Sequence, residues 1–224
     1  MTVGPAHRPL LIAHRAGNRV ASVGPAARAG ADLVEIDLHL RRGRLEVRHA
    51  RRLGPLPIEW DGWRVRPAIG PAPAPGPALA ALPEGVRPLY DLKDGDGERF
   101  AEVIAAGVAQ GRLRSPALVS SKRWDVLAAL AGVPGLTAVH SVSTARRARA
   151  LAALVERGVA RAVCARRDLL SEPVARDLVR RTDLVMTWPV EDEEDAARLA
   201  RWGVGGLIVD DLALLARLRR QYGR

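Results

Sequence analysis

GADLVEIDLHLRRGRLEVRHA, residues 30–50, is the stretch on which the fold turns. Leu33 to Leu40 is a short apolar run that starts directly after Gly-Ala-Asp, with the length and content of a buried strand. Glu35 and Asp37 stand two residues apart within it and therefore share one face. His39 continues that face. A charge buried without a partner or a metal is costly. A strand that is otherwise apolar but carries two acids on one side therefore reads as one whose end opens into a working site. The turn at Arg42-Gly43 sends the chain back through Leu45–Val47, a short return strand that ends at His49.

The same kind of short apolar run recurs along the chain. Candidate strands are Leu10–Ala13, Leu33–Leu40, Leu89–Leu92, Ala117–Ser120, Leu136–Val139, Ala162–Cys164, Leu184–Thr187 and Gly206–Val209. Between them, apolar residues at three- and four-residue spacing predict helices over Val23–Ala29, Glu98–Gln110, Trp124–Ala131, Thr144–Arg157, Glu172–Arg180, Glu191–Arg201 and Leu212–Tyr222. Thr144, Ser171 and Asp211 are placed to cap helices. Buried strands alternating with helices imply a parallel sheet wrapped by helices, and eight of them close a (β/α)8 TIM barrel. The expectation is an α/β chain with a single domain over 1–224. Its one irregularity is a Pro/Gly-rich loop insertion between strands 2 and 3. There GPAPAPGPA (Gly70–Ala78) is predicted to lack regular structure, because proline has no amide donor and fixes its own torsion.

The 224 residues carry a formal charge of +10, but only two of the 35 basic residues are lysines, Lys93 and Lys122. The arginines are scattered from Arg8 to Arg224, which reads as compositional background, so nucleic acid is not an expected partner. At 48% hydrophobic the chain is too apolar for disorder, and no apolar run approaches the ~20 residues of a membrane helix. Met1–Pro9 is short and polar, so a cytoplasmic location without a leader is expected. A lone cysteine, Cys164, excludes a disulfide framework or cysteine-built zinc site and reads as a core residue. Oligomeric state is left open.

In such barrels chemistry sits at the carboxyl ends of strands. The first strand ends at His14-Arg15, the second carries Glu35 and Asp37, and the hairpin ends at His49. The third strand ends with Asp91 and Lys93, and the seventh with Trp188. Three carboxylates (Glu35, Asp37, Asp91) are hard ligands suited to a divalent cation, Mg2+ or Ca2+. Two imidazoles can serve as acid and base near neutral pH. Arg15 and Lys93 can hold an anion. The set suits hydrolysis or transfer at a phosphate ester. Outside it, His39 reads equally as a surface residue at the rim or a substrate contact, and His140 as structural. Asp210 and Asp211 read as helix caps, and Glu191–Asp195 as a solvated helix start.

LLIAHRAG (10–17), the opening stretch, LYDLK (89–93), VMTWPV (185–190) and GVGGLIVDD (203–211) resemble, in the right order, motifs of the glycerophosphodiester phosphodiesterase family. The resemblance implies a barrel that cleaves phosphodiesters with a divalent cation, its partner a small phosphodiester. It implies His14 and His49 as the acid/base pair, Arg15 as a phosphate clamp and Glu35, Asp37 and Asp91 as metal ligands. Lys93 would lie beside the phosphate, and Trp188 would line the mouth. This chain departs from the family at several points. The Pro-Glu-Asn-Thr segment after the first motif is absent, with Asn18 the only nearby polar residue. Ala16 replaces the usual glycine, Ala50 replaces the aspartate after the second histidine, and Asp91 replaces a glutamate. These departures keep a second reading alive: a catalytically weak or inactive barrel that binds a phosphorylated ligand.

Overall fold

Alternation of buried and half-buried segments builds the following elements in the computed structural model, which describes residues 8–52, 58–61, 64–67 and 72–223. The strands are β1 (Leu10–Ala13), β2 (Leu33–Arg41), β3 (Arg44–Val47), β4 (Arg51–Arg52), β5 (Ile58–Asp61), β6 (Arg64–Pro67), β7 (Arg87–Leu92), β8 (Ala117–Ser121), β9 (Leu136–Val142), β10 (Ala162–Arg166), β11 (Leu184–Val190) and β12 (Gly206–Val209). The helices are α1 (Val20–Arg28), α2 (Gly76–Ala80), α3 (Gly97–Ala109), α4 (Trp124–Ala129), α5 (Ala145–Glu156), α6 (Glu172–Arg181), α7 (Glu193–Arg201) and α8 (Leu212–Tyr222).

Eight parallel strands run in the order β1-β12-β11-β10-β9-β8-β7-β2, and β2 pairs back onto β1. Ile12 lies opposite Leu33 and Ala13 opposite Val34, so the sheet closes into the expected (β/α)8 barrel. Strand alternation sorts the apolar side chains into two cores. Ile12, Leu33, Leu89, Leu118, Val139, Cys164, Met186 and Ile208 form one cluster that fills the barrel. Leu11, Val34, Ile36, Leu38 and Tyr90 face outward and join the helices in a second, larger core. Cys164 is thus a core residue, as expected.

The insertion holds more structure than its composition suggests. Strand β3 folds back antiparallel on β2, and β4, β5 and β6 form a separate three-stranded antiparallel sheet. Within Gly70–Ala78 the expectation of irregularity fails at its end, because α2 starts at Gly76 with a proline in its first turn. Proline there loses nothing, since the first amides of a helix have no intrahelical partner. Residues 70 and 71 lie outside the described residues. Thr144 and Asp211 cap α5 and α8, whereas Ser171 makes no side-chain cap to α6. Within the acidic run expected to face solvent, Asp192 caps α7 and Asp195 is buried, paired with Arg198 and Arg167.

At the amino end of the barrel, Asp32 ties the closure together. Its carboxylate accepts from the Leu11 amide at 2.9 Å, pairs with Arg8 at 2.8 Å and with Arg219 of α8 at 2.9 Å. Burial opposes its charge, but these donors hold the carboxyl below its ordinary value. A carboxyl lowered in the folded state stabilises it above the unfolded value, near 3.8, and the contribution is lost as pH falls further. Asp32→Ala is expected to lower unfolding free energy by about 2–3 kcal/mol at pH 7, read from denaturant midpoints. That difference should shrink on acidification below pH 4; a constant difference would contradict the assignment.

Among the described residues, no helix is long and apolar enough to cross a membrane.

Candidate active site

Side chains that continue the inward face of the strands emerge at the carboxyl mouth. Beyond Ile12 comes His14; beyond Leu33 come Glu35 and Asp37; beyond Leu89 come Asp91 and Lys93; beyond Leu118 comes Ser120. Register sets Asp37 opposite Asp91 and Asp91 opposite Ser120. Glu35 and Asp37 are 4% and 0% exposed, and ligand oxygens of Glu35, Asp37 and Asp91 lie within 4.8 Å of one another.

A tight turn after β1 docks onto this cluster. Arg15 is left-handed at φ 53° and is followed by a 3-10 turn over Ala16–Asn18. Gly17 is required there, because a Cβ would lie 2.2 Å from Ile36 Cγ1 and 2.9 Å from the Glu35 carbonyl. The close approach lets the Arg15 amide donate to Glu35 at 3.0 Å. It also lets Asn18 donate to the Asp37 carboxylate at 2.6 Å while its own oxygen accepts from the Asp37 amide at 2.8 Å. The shortened loop therefore still delivers a polar clamp to β2.

The two histidines are each held by a carboxylate. Nδ1 of His14 lies 2.5 Å from Asp210, and Nε2 lies 3.4 Å from Glu35. Nδ1 of His49 lies 3.1 Å from Asp37, and its Nε2 lies 2.7 Å from the Arg15 guanidinium. A guanidinium can only donate, so His49 Nε2 accepts and Nδ1–H donates to Asp37. The Lys93 ammonium contacts Asp91 and sits 2.7 Å from Asp37, and the Ser120 hydroxyl donates to Asp91 at 2.8 Å.

These contacts move the titrations apart. Burial, with repulsion from Asp37 and Asp91, pushes Glu35 up to about 7 against the charges of His14 and Lys93. Burial acts the same way on Asp37, but the His49 hydrogen bond and Lys93 hold it well below the carboxylate range. Burial works against the charge of Lys93, yet Asp91, Asp37 and Glu35 raise it above the lysine range. His14 is disfavoured as a cation by burial, but the Asp210 hydrogen bond and the Glu35 and Asp210 charges leave it raised.

The structure brings together His14, Arg15, Glu35, Asp37, His49, Asp91 and Lys93, with half-buried Trp188 at the end of β11. It corrects two other readings. Asp211 caps α8, but Asp210 does not cap; it reaches across to His14. The signal was available in the strand parity, since Asp210 lies two residues beyond the inward-facing Ile208. His39 is neither at the surface nor placed as a substrate contact. It is 2% exposed, because the β2–β3 hairpin and the segment after β7 close over it. Burial, with the charge of Arg48, lowers it to about 4 against the charge of Asp94 and the His49 backbone. The nearest carboxylate, Asp94 at 3.9 Å, is held by Arg51. His140 packs against Trp124, a structural placement.

No protein-family model and no curated protein matches the chain by sequence. Compared as structures, it resembles the phosphodiesterase of Oleispira antarctica solved with its product sn-glycerol-3-phosphate, at TM-score 0.74 and 18% identity over 96% of this chain and 97% of that one. The fold is that of the glycerophosphodiester phosphodiesterases. Enzymes of that name from Parabacteroides distasonis (TM-score 0.74, 17% identity, 97% and 99% covered) and Thermotoga maritima (0.72, 18%, 95% and 99%) superpose over the same span. The glycerophosphodiester phosphodiesterase fold is therefore present over nearly the whole chain.

Proposed function

We propose that this chain, as one barrel over 1–224, hydrolyses phosphodiesters with the help of a divalent cation, glycerophosphodiesters being the substrate class. The observation that carries the reading is the pairing of two carboxylate-held imidazoles with a triad of acids, two buried and one half-buried, at one barrel mouth. The triad fits a cation such as Mg2+ or Ca2+. Its donors are hard oxygens within reach of a single ion, and among the described residues the three carboxylates share the Lys93 ammonium and, at 3.9 Å, the edge of Arg15, with His14 against Glu35 and His49 against Asp37. The elevation of Glu35 comes from its burial first and from the charges of Asp37 and Asp91 second. Bound there, a divalent cation would neutralise phosphate oxygens and the charge that builds on them.

The chain's own groups divide the proton work. His14 lies between Asp210 and Glu35, two carboxylates that favour a proton on each ring nitrogen, so it is placed to protonate the leaving alkoxide. His49 donates through Nδ1 to Asp37 and keeps a lone pair on Nε2, so it is placed to accept the proton of the attacking hydroxyl. That hydroxyl is either a neighbouring one on the substrate or water. Before it can act, Arg15 must leave Nε2, and a phosphate offers the guanidinium a bidentate replacement. Lys93 adds a point charge beside the phosphate. Trp188 walls the mouth.

Asp210 is a positioning residue in this scheme. Asp210→Asn, which leaves size and exposure unchanged, is expected to lower kcat about 10- to 100-fold with KM little altered. An unchanged kcat would remove it from the mechanism. The activity as a whole is tested by screening glycerophosphodiesters, lysophospholipids and an artificial diester with and without chelator. Cation-dependent release of product from a diester is expected; no turnover with any cation would leave the binding reading. That second reading draws on the Arg15–His49 contact, which engages the nitrogen the base would use.

A further inference from the structure

The mouth is electrically lopsided. Acids crowd the side built by β1, β2, β7 and β12, whereas the opposite side, where β8, β9, β10 and β11 end, carries cations. Lys122 lies two residues beyond Ser120, on the same inward parity, and its ammonium sits 5.9 Å from the centre of the Trp188 ring. Arg147, at the start of α5, donates to the Lys122 carbonyl and stacks its guanidinium 4.5 Å above the Trp124 ring. Among the described residues neither cation has a carboxylate within ion-pair distance, whereas Lys93 and Arg166 at the same mouth are paired. Arg147 Nε is buried without a hydrogen-bond partner. Arg166, also facing the mouth, is neutralised by Asp168. Partial burial and the neighbouring charges of Lys93, Arg166 and Arg147 lower Lys122, which places its ammonium close enough to the acid cluster to feel Asp91 as well. A cation kept without a counter-ion beside other cations is unfavourable unless an anion joins it.

We propose that Lys122, beside Trp188, and Arg147, joined to it through the Lys122 carbonyl, form a second anion subsite, so that the preferred phosphodiester carries an additional negative group on one ester arm. The inference rests on the reading of the mouth as a phosphodiester site. With the bridging phosphate at the acid cluster and Arg15, the ester arm that projects across the mouth meets Lys122. A phosphate or carboxylate on that arm is attracted; a quaternary ammonium is repelled.

Three probes differ only in that arm: glycerophosphocholine, glycerophosphoglycerol, and glycerophosphoglycerol phosphorylated on its far hydroxyl. Each is measured for kcat/KM and, independently of turnover, for binding by tryptophan fluorescence. The phosphorylated probe is expected to exceed the choline probe at least tenfold in both readouts. Lys122→Gln and Arg147→Gln should each reduce that ratio severalfold, and Lys122→Glu should reverse it, with glycerophosphoglycerol, whose arm is uncharged, changing less than threefold. Lys122 is exposed, so its variants are expected to fold, and circular dichroism with a thermal melt checks the fold of Arg147→Gln, whose guanidinium stacks on Trp124. Turnover without a charge preference, or a preference unchanged in all three variants, overturns the subsite and leaves the activity reading intact. A charge preference in binding that Lys122→Gln abolishes, without hydrolysis of any probe, supports the subsite and overturns the activity reading.

Discussion

His14→Ala is expected to lower kcat for diester hydrolysis about a thousandfold, with the protein still folded. General acid catalysis contributes roughly 10²- to 10⁴-fold, and no other group stands where this imidazole does. Its ring nitrogens bridge Asp210 and Glu35, so alanine removes the proton donor and leaves two carboxylates facing a gap. His14 lies at the mouth rather than in either apolar core, so the loss should fall on rate and little on stability. The check is kcat measured beside circular dichroism and a thermal melt. A folded variant that keeps more than a tenth of wild-type kcat would show that the leaving group departs without His14.

Glu35→Gln is expected to separate activity from stability in opposite directions. Activity should fall by three orders of magnitude or more, because a neutral amide is a poor ligand for a hard cation and the triad loses a charge. Stability in chelator should not fall. Glu35 is a buried carboxylate beside two others, with one amide donor and the His14 imidazole at 3.4 Å, and glutamine keeps an oxygen that can face both. Removing a buried charge that lacks a full counter-ion is neutral or stabilising. The cation adds the second half of the test. At a hundred times its Kd it should stabilise the wild type by about 2.7 kcal/mol, a rise in Tm of about 5 to 10 °C for a chain of this length. Glu35→Gln should lose that rise. A wild type whose Tm ignores Mg2+ and Ca2+ alike, or a variant that melts far lower in chelator, would contradict the metal-site reading.

Much of the site is legible in the order of residues because strand geometry leaves little freedom. Glu35 and Asp37 must share a face, and in a barrel that face is inside. Asp91 and Lys93 follow by the same rule. Parity also points inward at Asp210, yet its position just before a helix favours the competing reading as a cap, and the structure gives capping to Asp211 alone. His39 obeys parity as well, but whether an inward residue near a strand end meets solvent depends on what lies above it. The hairpin and the Asp94 segment that cover His39 are brought there by contacts distant in sequence. The insertion is the weakest point of the sequence reading. Proline excludes helix interiors, not helix starts, so a proline-rich stretch can still open α2.

Alone, the sequence determined the barrel, because eight apolar runs spaced by amphipathic helices have few other ways to bury both faces of each strand. It also determined which acids face inward, because the side-chain period of a strand is two. Only the tertiary structure decided the partners. Asp210 and His14 lie 196 residues apart and meet because β12 pairs with β1 to close the barrel. Arg147 meets Lys122 because β8 and β9 are neighbours in the same sheet. Register and closure set those distances, and both are properties of the whole sheet rather than of any segment within it.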